Sequence, residues 1–143
     1  MNVLLAADGS EAALHATRRL VALAPMLNEP LHVELVTVNL PVPIIRGFSK
    51  VVVTHEMIDA YYRDQGASML AESERLLNEA HVDHSRHILV GKIAESLVDH
   101  ADKSRCQMIW MGSRGMSAVA NMVMGSIATK VVHLSLVPVV LVP

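Results

Sequence analysis

The chain has 143 residues, 52% of them apolar, and a formal net charge of −2. That is the size of one compact domain with a sizeable core, and the near-neutral charge excludes a general nucleic-acid or membrane-surface binder. One Phe, one Trp and two Tyr are too few for a base-stacking platform, and the single cysteine, Cys106, excludes an intrachain disulfide and points to a reducing compartment.

The opening stretch, "NVLLAA" (2–7), is apolar and reads as a strand that stops at Asp8. It has no basic region before it, so it does not read as a secretory signal. Ser10 is placed to cap a helix. Ala13, Leu14, Thr17, Leu20, Val21 and Ala24 form its apolar face, and Pro25 closes it. "LHVELVTVNL" (31–40) reads as the second strand. It runs into "PVPIIRGFSKVVV" (41–53), an insertion rich in Pro, Gly and bare apolar side chains. This segment reads either as a surface loop packed on Ile44, Ile45 and Phe48, or as a lid or partner contact.

A long helix is predicted from about His55 to Ala80, with Ile58, Tyr62, Met69, Leu70, Ser73, Leu76 and Leu77 on one side. Next comes "HVDHSRH" and a short strand, "HILV" (87–90). His81, His84 and His87 recur every third residue, which invites a metal reading. The run leads into a strand rather than lying on a helix face, so the expectation is satisfied or solvated histidines and no metal site. A third helix carries Ile93, Leu97 and Ala101 at four-residue spacing. Cys106, beside Arg105, reads as a buried, inert thiol. "MIWMG" (108–112) and "PVVLV" (138–142) are the last strands, with a helix starting near Ser126 between them and showing Ile127, Val131 and Leu134. The longest apolar run, "VVHLSLVPVVLVP", contains a His and prolines and is too short for a membrane span, so a cytoplasmic protein is expected. The nine methionines read as adaptable core filler, with Met122 and Met124 as candidate lining of a ligand loop.

Strand and helix alternate throughout. One α/β domain over residues 1–143 follows, with a parallel sheet, helices on both faces and right-handed crossovers: a doubly wound, Rossmann-like fold. In such sheets ligands bind outside the carboxyl ends of strands, where the strand order reverses. Asp8 ends the first strand and Gly112 the fourth. If these strands are neighbours, both residues face one crevice.

The stretch "GSRGMSAVANMVMGSIATKVV" lies at that crevice. Gly112 and Gly115 bracket a turn in which glycine permits positive φ and close approach by a ligand. Successive free N–H groups in such a turn form a concave anion site. Gly125 and Ser126 open the last helix, whose unpaired amides and positive dipole end suit phosphate oxygens. Two anion-seeking backbone elements therefore flank one loop. The P-loop pattern G-x-x-x-x-G-K-[ST] and the dinucleotide fingerprint are both absent.

"MGSRGMSAVANMVMGSIATKVV" fits the G-x2-G-x9-G-[ST] motif and resembles the ATP-binding branch of the universal stress protein family. "VLLAADGSEAALHA", "VGKIAESLVDHADKSRCQMIWMGSRG" and "VPVVLVP" resemble that family's first, middle and closing segments. The resemblance implies five parallel strands in the order 3-2-1-4-5. It implies that Ala7 and Asp8 contact the nucleoside and that Val38 meets the adenine through its backbone. Met111, Gly112, Arg114 and Gly115 would line the ribose and phosphates, and Gly125, Ser126 and Ile127 would hold the outer phosphates. Some members carry a second hydroxyl where this chain has Ala128, followed by Thr129, so no preference among ATP, ADP and AMP is assigned. Local cations are few, Arg114 and Lys130. Lys130 reads rather as part of a solvated helix face, and Mg²⁺ is expected to supply the remaining positive charge.

The apolar last strand would lie at a sheet edge. Pairing with the same strand of a second copy, through 138–142, would protect it and give a two-fold homodimer, as the family resemblance also implies; the alternative is a monomer whose edge is blunted by Pro138 and Pro143. The expected function is a dimeric, adenine-nucleotide-binding stress or signalling module. The alternatives are a slow ATPase or self-phosphorylating protein, and a nucleotide-independent dimeric interaction protein. Little is present to run phosphoryl transfer: no P-loop lysine, and no general base near the site except Asp8.

Overall fold

The computed structural model describes residues 1–43, 53–116 and 123–143. Ile44, Ile45 and Phe48 of the insertion, and Met122, lie outside the described residues. The elements run β1 (Asn2–Ala6), α1 (Glu11–Leu23), β2 (His32–Asn39), α2 (His55–Glu79), β3 (Asp83–Val90), α3 (Ile93–Lys103), β4 (Met108–Gly112), α4 (Ser126–Leu134) and β5 (Val139–Val142). All four strand pairings are parallel, and the sheet order is β3-β2-β1-β4-β5. β1 and β4 are therefore neighbours, in register Leu4↔Ile109.

Alternation along the strands sends side chains to two cores. Val3, Leu5, Leu35 and Trp110 pack with Leu20 of α1 and with Leu70 and Leu77 of α2. Leu4, Val36, Ile109 and Met111 pack on the other face with Leu97 and Ala101 of α3 and Val131 of α4. Each fully buried leucine contributes about 1.5–3 kcal/mol. Two buried polar side chains tie helices into the core: Trp110 Nε1 donates to the Ala16 carbonyl of α1 at 2.9 Å, and Thr17 Oγ1 of α1 donates to the Ala13 carbonyl and lies 3.0 Å from Ser73 Oγ of α2.

Local chemistry sets the helix ends. Ser10 Oγ accepts from the Ala13 N–H, capping α1 as its position predicts. The polypeptide after Leu23 tightens into a 3₁₀ turn, Ala24–Met26, at Pro25. α2 and α3 both end in a Schellman motif. The Val82 N–H reaches the Leu77 carbonyl, and the Cys106 N–H reaches the Ala101 carbonyl. The left-handed residues there are His81 (φ 55) and Arg105 (φ 52), not glycines.

β3 begins four residues earlier than its apolar stretch suggests. Its polar half, Asp83 to Arg86, pairs with β2 from His32 to Leu35. β3 is an edge strand, so these side chains need no core. The metal reading of His81, His84 and His87 as a set fails on geometry. His81 precedes the strand, and His84 Nδ1 lies 2.9 Å from the Val82 carbonyl. Glu34, only 9% exposed, is the one acidic residue in the buried face of β2. Burial alone would raise its pKa. The hydrogen bond with His100 and the charges of His87, His100 and His32 outweigh that effect and hold it below its ordinary value. Cys106 is buried, and burial together with the Glu34 charge pushes its thiol from 9.0 up to about 11, as expected of an unreactive cysteine.

Candidate functional site

The site follows from where β1 stops. β1 pairs with β2 only as far as Ala6↔Val36, and the Ala7 N–H donates to the Val36 carbonyl at 2.9 Å. The Asn39 carbonyl instead faces β3, where it accepts from Gly91. In a parallel ladder, main-chain groups alternate sides. Val38 therefore directs its N–H and C=O toward the β1 side, beyond the end of β1. They form a donor–acceptor pair at the wall of a crevice. This register supplies a physical reason for a backbone contact at Val38.

The crevice is a cavity of about 460 Å³ at the carboxyl ends of β1, β2 and β4, within the roughly 300–1,000 Å³ usual for small-molecule sites. It brings together Ala7, Asp8, Val38, Met111, Gly112, Arg114, Gly115, Gly125, Ser126 and Ile127. All ten candidate residues line it. Its inner half is apolar, walled by Val36, Ile93, Leu97 and Met111. Its outer half is made of main chain from the turn after β4 and the start of α4.

Asp8 ties the two loops at the mouth. Its carboxylate accepts from the Ser10 N–H at 2.9 Å and from the Met116 N–H at 3.3 Å. Gly9, with φ 80, turns the chain sharply between Asp8 and the capped helix. The three motif glycines have no such φ; among the described glycines, only Gly9 and Gly91 do. They serve close approach instead. A Cβ on Gly112 would lie 2.8 Å from the Ala12 carbonyl carbon, and one on Gly115 would lie 2.9 Å from Asp8 Oδ2. A Cβ on Gly125 meets nothing nearer than the Ser113 carbonyl at 3.5 Å, but it would stand between the two turns, 3.9 Å from the Gly115 nitrogen.

The amides divide into used and free. The Gly125 N–H donates to the Ser113 carbonyl at 2.7 Å, so it is not the phosphate donor the motif suggests. It latches the start of α4 onto the turn after β4. The N–H groups of Arg114, Gly115, Ser126, Ile127 and Ala128 have no acceptor among the described residues. α4 has no side-chain cap. Ser113 Oγ is buried and has no partner among the described residues, and Ser113 lines the cavity. A buried hydroxyl left unpaired costs about 1–3 kcal/mol, which a bound acceptor would recover. Sequence reasoning passed over Ser113, although its place between Gly112 and Gly115 was the available signal. It also missed Tyr61 and Gln65, which line the cavity from α2, because helical periodicity reports the core face rather than the rim; Met69, expected on that helix's apolar side, lines the cavity as well.

Lys130 is not among the lining residues; it lies on a solvated helix face, as expected, where it forms an ion pair with Glu95 of α3. Arg114 is the only cationic side chain among the described lining residues, and it is exposed. Thr129 does not replace the hydroxyl absent at Ala128, because its Oγ1 donates back to the Gly125 carbonyl at 3.0 Å.

The model of the universal stress protein family matches residues 1–143. Among curated proteins, the stress response protein NhaX of Bacillus subtilis is 35% identical over 81 residues, 57% of this chain and 49% of NhaX, so the match spans about half of that protein. The universal stress protein YxiE of Bacillus subtilis is 28% identical over 143 residues, covering 98% of this chain and 97% of YxiE. Among solved structures, the MJ0577 protein superposes with a TM-score of 0.78 at 20% identity, over 99% of this chain and 94% of that one. A universal stress protein in complex with cAMP gives 0.66 at 23% identity, over 99% and 95%. A family member from Arabidopsis thaliana with AMP bound gives 0.66 at 15% identity, over 99% and 90%.

Proposed function

The chain belongs to the universal stress protein family, and from that premise we propose that it binds an adenine nucleotide, ATP or a relative, and acts as a dimeric stress or signalling module. The observation that carries this reading is the set of free amides. Gly115 and Arg114 on one turn, and Ser126 and Ile127 on the first turn of α4, have no acceptor among the described residues, and the unpaired Ser113 hydroxyl lies on the wall of the same cavity. Such donors suit phosphate oxygens, and a helix start adds its dipole. The apolar inner half suits a base, whose edge Val38 would meet through its N–H and C=O. Ala7 and Asp8 would flank the nucleoside, Met111, Gly112 and Arg114 the ribose and inner phosphates, and Gly125 would hold the two turns together.

Cation supply is thin, with Arg114 the one cationic side chain on the described wall. Mg²⁺ would carry the rest of the triphosphate's charge. Bound cAMP and AMP in two structural neighbours support the adenine class. For the dimer, the outer edge of β5 supports self-pairing. Pro138 and Val142 carbonyls face β4, so the main chain of Val139 and Leu141 faces outward. Leu136, just before the strand, is 93% exposed. No helix among the described residues is long and apolar enough to cross a membrane, and a cytoplasmic location fits the single, buried thiol.

The test is a thermal melt with added Mg·ATP, with absorbance at 260 and 280 nm of the purified protein read alongside. The expected result is a raised Tm, or a 260 nm excess released on denaturation. Neither effect at millimolar Mg·ATP would favour the nucleotide-independent reading. Single-turnover phosphate release no faster than in buffer separates a binding module from a slow ATPase.

A further inference from the structure

A second polar cluster lies away from the crevice, on the face of the sheet that α3 covers. Glu34 stands four residues before Val38 on β2, about 13 Å along the strand. Its Oε2 is 2.6 Å from His87 Nε2 on β3 and 3.2 Å from His100 Nε2 on α3. The three ligating atoms all lie within 4.8 Å of one another. The two imidazoles are packed, with ring centroids 4.4 Å apart.

The short contact between His87 and Glu34 is not a hydrogen bond. His87 Nε2 is shut off from solvent and has no hydrogen-bond partner among the described residues, although a carboxylate oxygen lies 2.6 Å away. Lone pairs on Nε2 and on the carboxylate oxygen are thus close together without being joined by a proton, which leaves them available to a shared cation. Support comes from behind. The other carboxylate oxygen, Oε1, lies 3.4 Å from His32 Nε2, and His32 Nδ1 lies 2.7 Å from Asp83 Oδ2. Polar groups that hold a ligating carboxylate in place are usual outer support of a metal centre.

We propose that Glu34, His87 and His100 form a binding site for a late first-row divalent metal ion, with Zn²⁺ the best match, and that His32 and Asp83 orient the carboxylate. Two imidazoles and one carboxylate suit zinc, and a water would complete four-coordination. Zinc–ligand bonds near 2.0–2.2 Å place tetrahedral ligands about 3.3 Å apart, so modest side-chain adjustment brings these atoms into place. The ion would clamp edge strand β3 and the last turns of α3 to β2. Linear spacing conceals the site because its ligands come from three elements, and only His87 belongs to the "HVDHSRH" run. The proposal is independent of nucleotide binding.

The full-length chain, stripped with a chelator, is titrated with Zn²⁺ alone and separately with Co²⁺ alone. One ion per chain is expected, with Co²⁺ giving the visible bands of tetrahedral coordination. His87→Gln and His100→Asn should each weaken Zn²⁺ binding on the order of 100-fold, and Asp83→Asn about 10-fold. His133→Gln, an exposed histidine on α4, should bind as the parent does. No saturable one-to-one binding, or equal loss in the His133 and His87 variants, overturns the proposal. If the site variants fail to fold, imidazole nitrogen shifts in the unmodified protein decide. Zn²⁺ must perturb His87 and His100 selectively, and equal perturbation of all eight histidines overturns it.

Discussion

Gly112 and Gly125 belong to one motif but meet different neighbours, and substitution should separate their roles. A methyl group on Gly112 would run into the backbone of Ala12 at 2.8–2.9 Å, and backbone cannot move aside as a side-chain end can. Gly112→Ala should therefore cost about 1–3 kcal/mol of stability, read from urea denaturation. A methyl group on Gly125 finds ordinary contact distances, and its φ of −72° suits any residue. Gly125→Ala should keep its Tm within a few degrees yet lose Mg·ATP binding at least tenfold, because the methyl group stands between the two turns. Equal loss of stability in both variants would show that the motif serves the fold alone. At this scale the sequence was informative about which residues gather but not about which atoms are free. Nothing in "MGSIAT" reveals that the Gly125 N–H is already spent on the Ser113 carbonyl, or that the Thr129 hydroxyl is turned back onto its own helix.

The ends of α2 and α3 repeat one device with an unfavourable residue. Arg105 holds φ 52 in the Schellman turn after α3, where a glycine would carry no steric penalty. Arg105→Gly should stabilise the protein by about 0.5–1 kcal/mol, the left-handed strain relieved less the extra entropy of glycine. Chemical denaturation checks this, and a destabilised variant would mean that the arginine side chain contributes more than its backbone costs. The elements that sequence reasoning read well were those with one apolar face. Ile93, Leu97 and Ala101 marked α3, and Ser10 marked the start of α1. The start of β3 was not legible, because the first half of this edge strand, Asp83 to Arg86, is polar on both faces and carries no hydrophobic alternation. The cluster of Glu34, His87 and His100 was hidden for a related reason. Its members meet only after β2, β3 and α3 assemble.

The whole molecule explains why one crevice collects so many separate signals. Strand order 3-2-1-4-5 sets β1 beside β4, and β1 stops early, so the main chain of β2 faces an opening that the loops after β1 and β4 border. The resemblance to the universal stress protein family supplied that order, since alternation of strand and helix fixes only a parallel sheet. The central claim is that main-chain amides, rather than charged side chains, grip the nucleotide's phosphates. Amide nitrogen–proton correlation spectra recorded during a Mg·ATP titration test it most directly. The account predicts large, saturating shifts at Gly115, Ser126, Ile127 and Val38, with the Gly125 amide remaining hydrogen-bonded. Saturable binding that leaves those four amides unmoved and perturbs side chains elsewhere would contradict it.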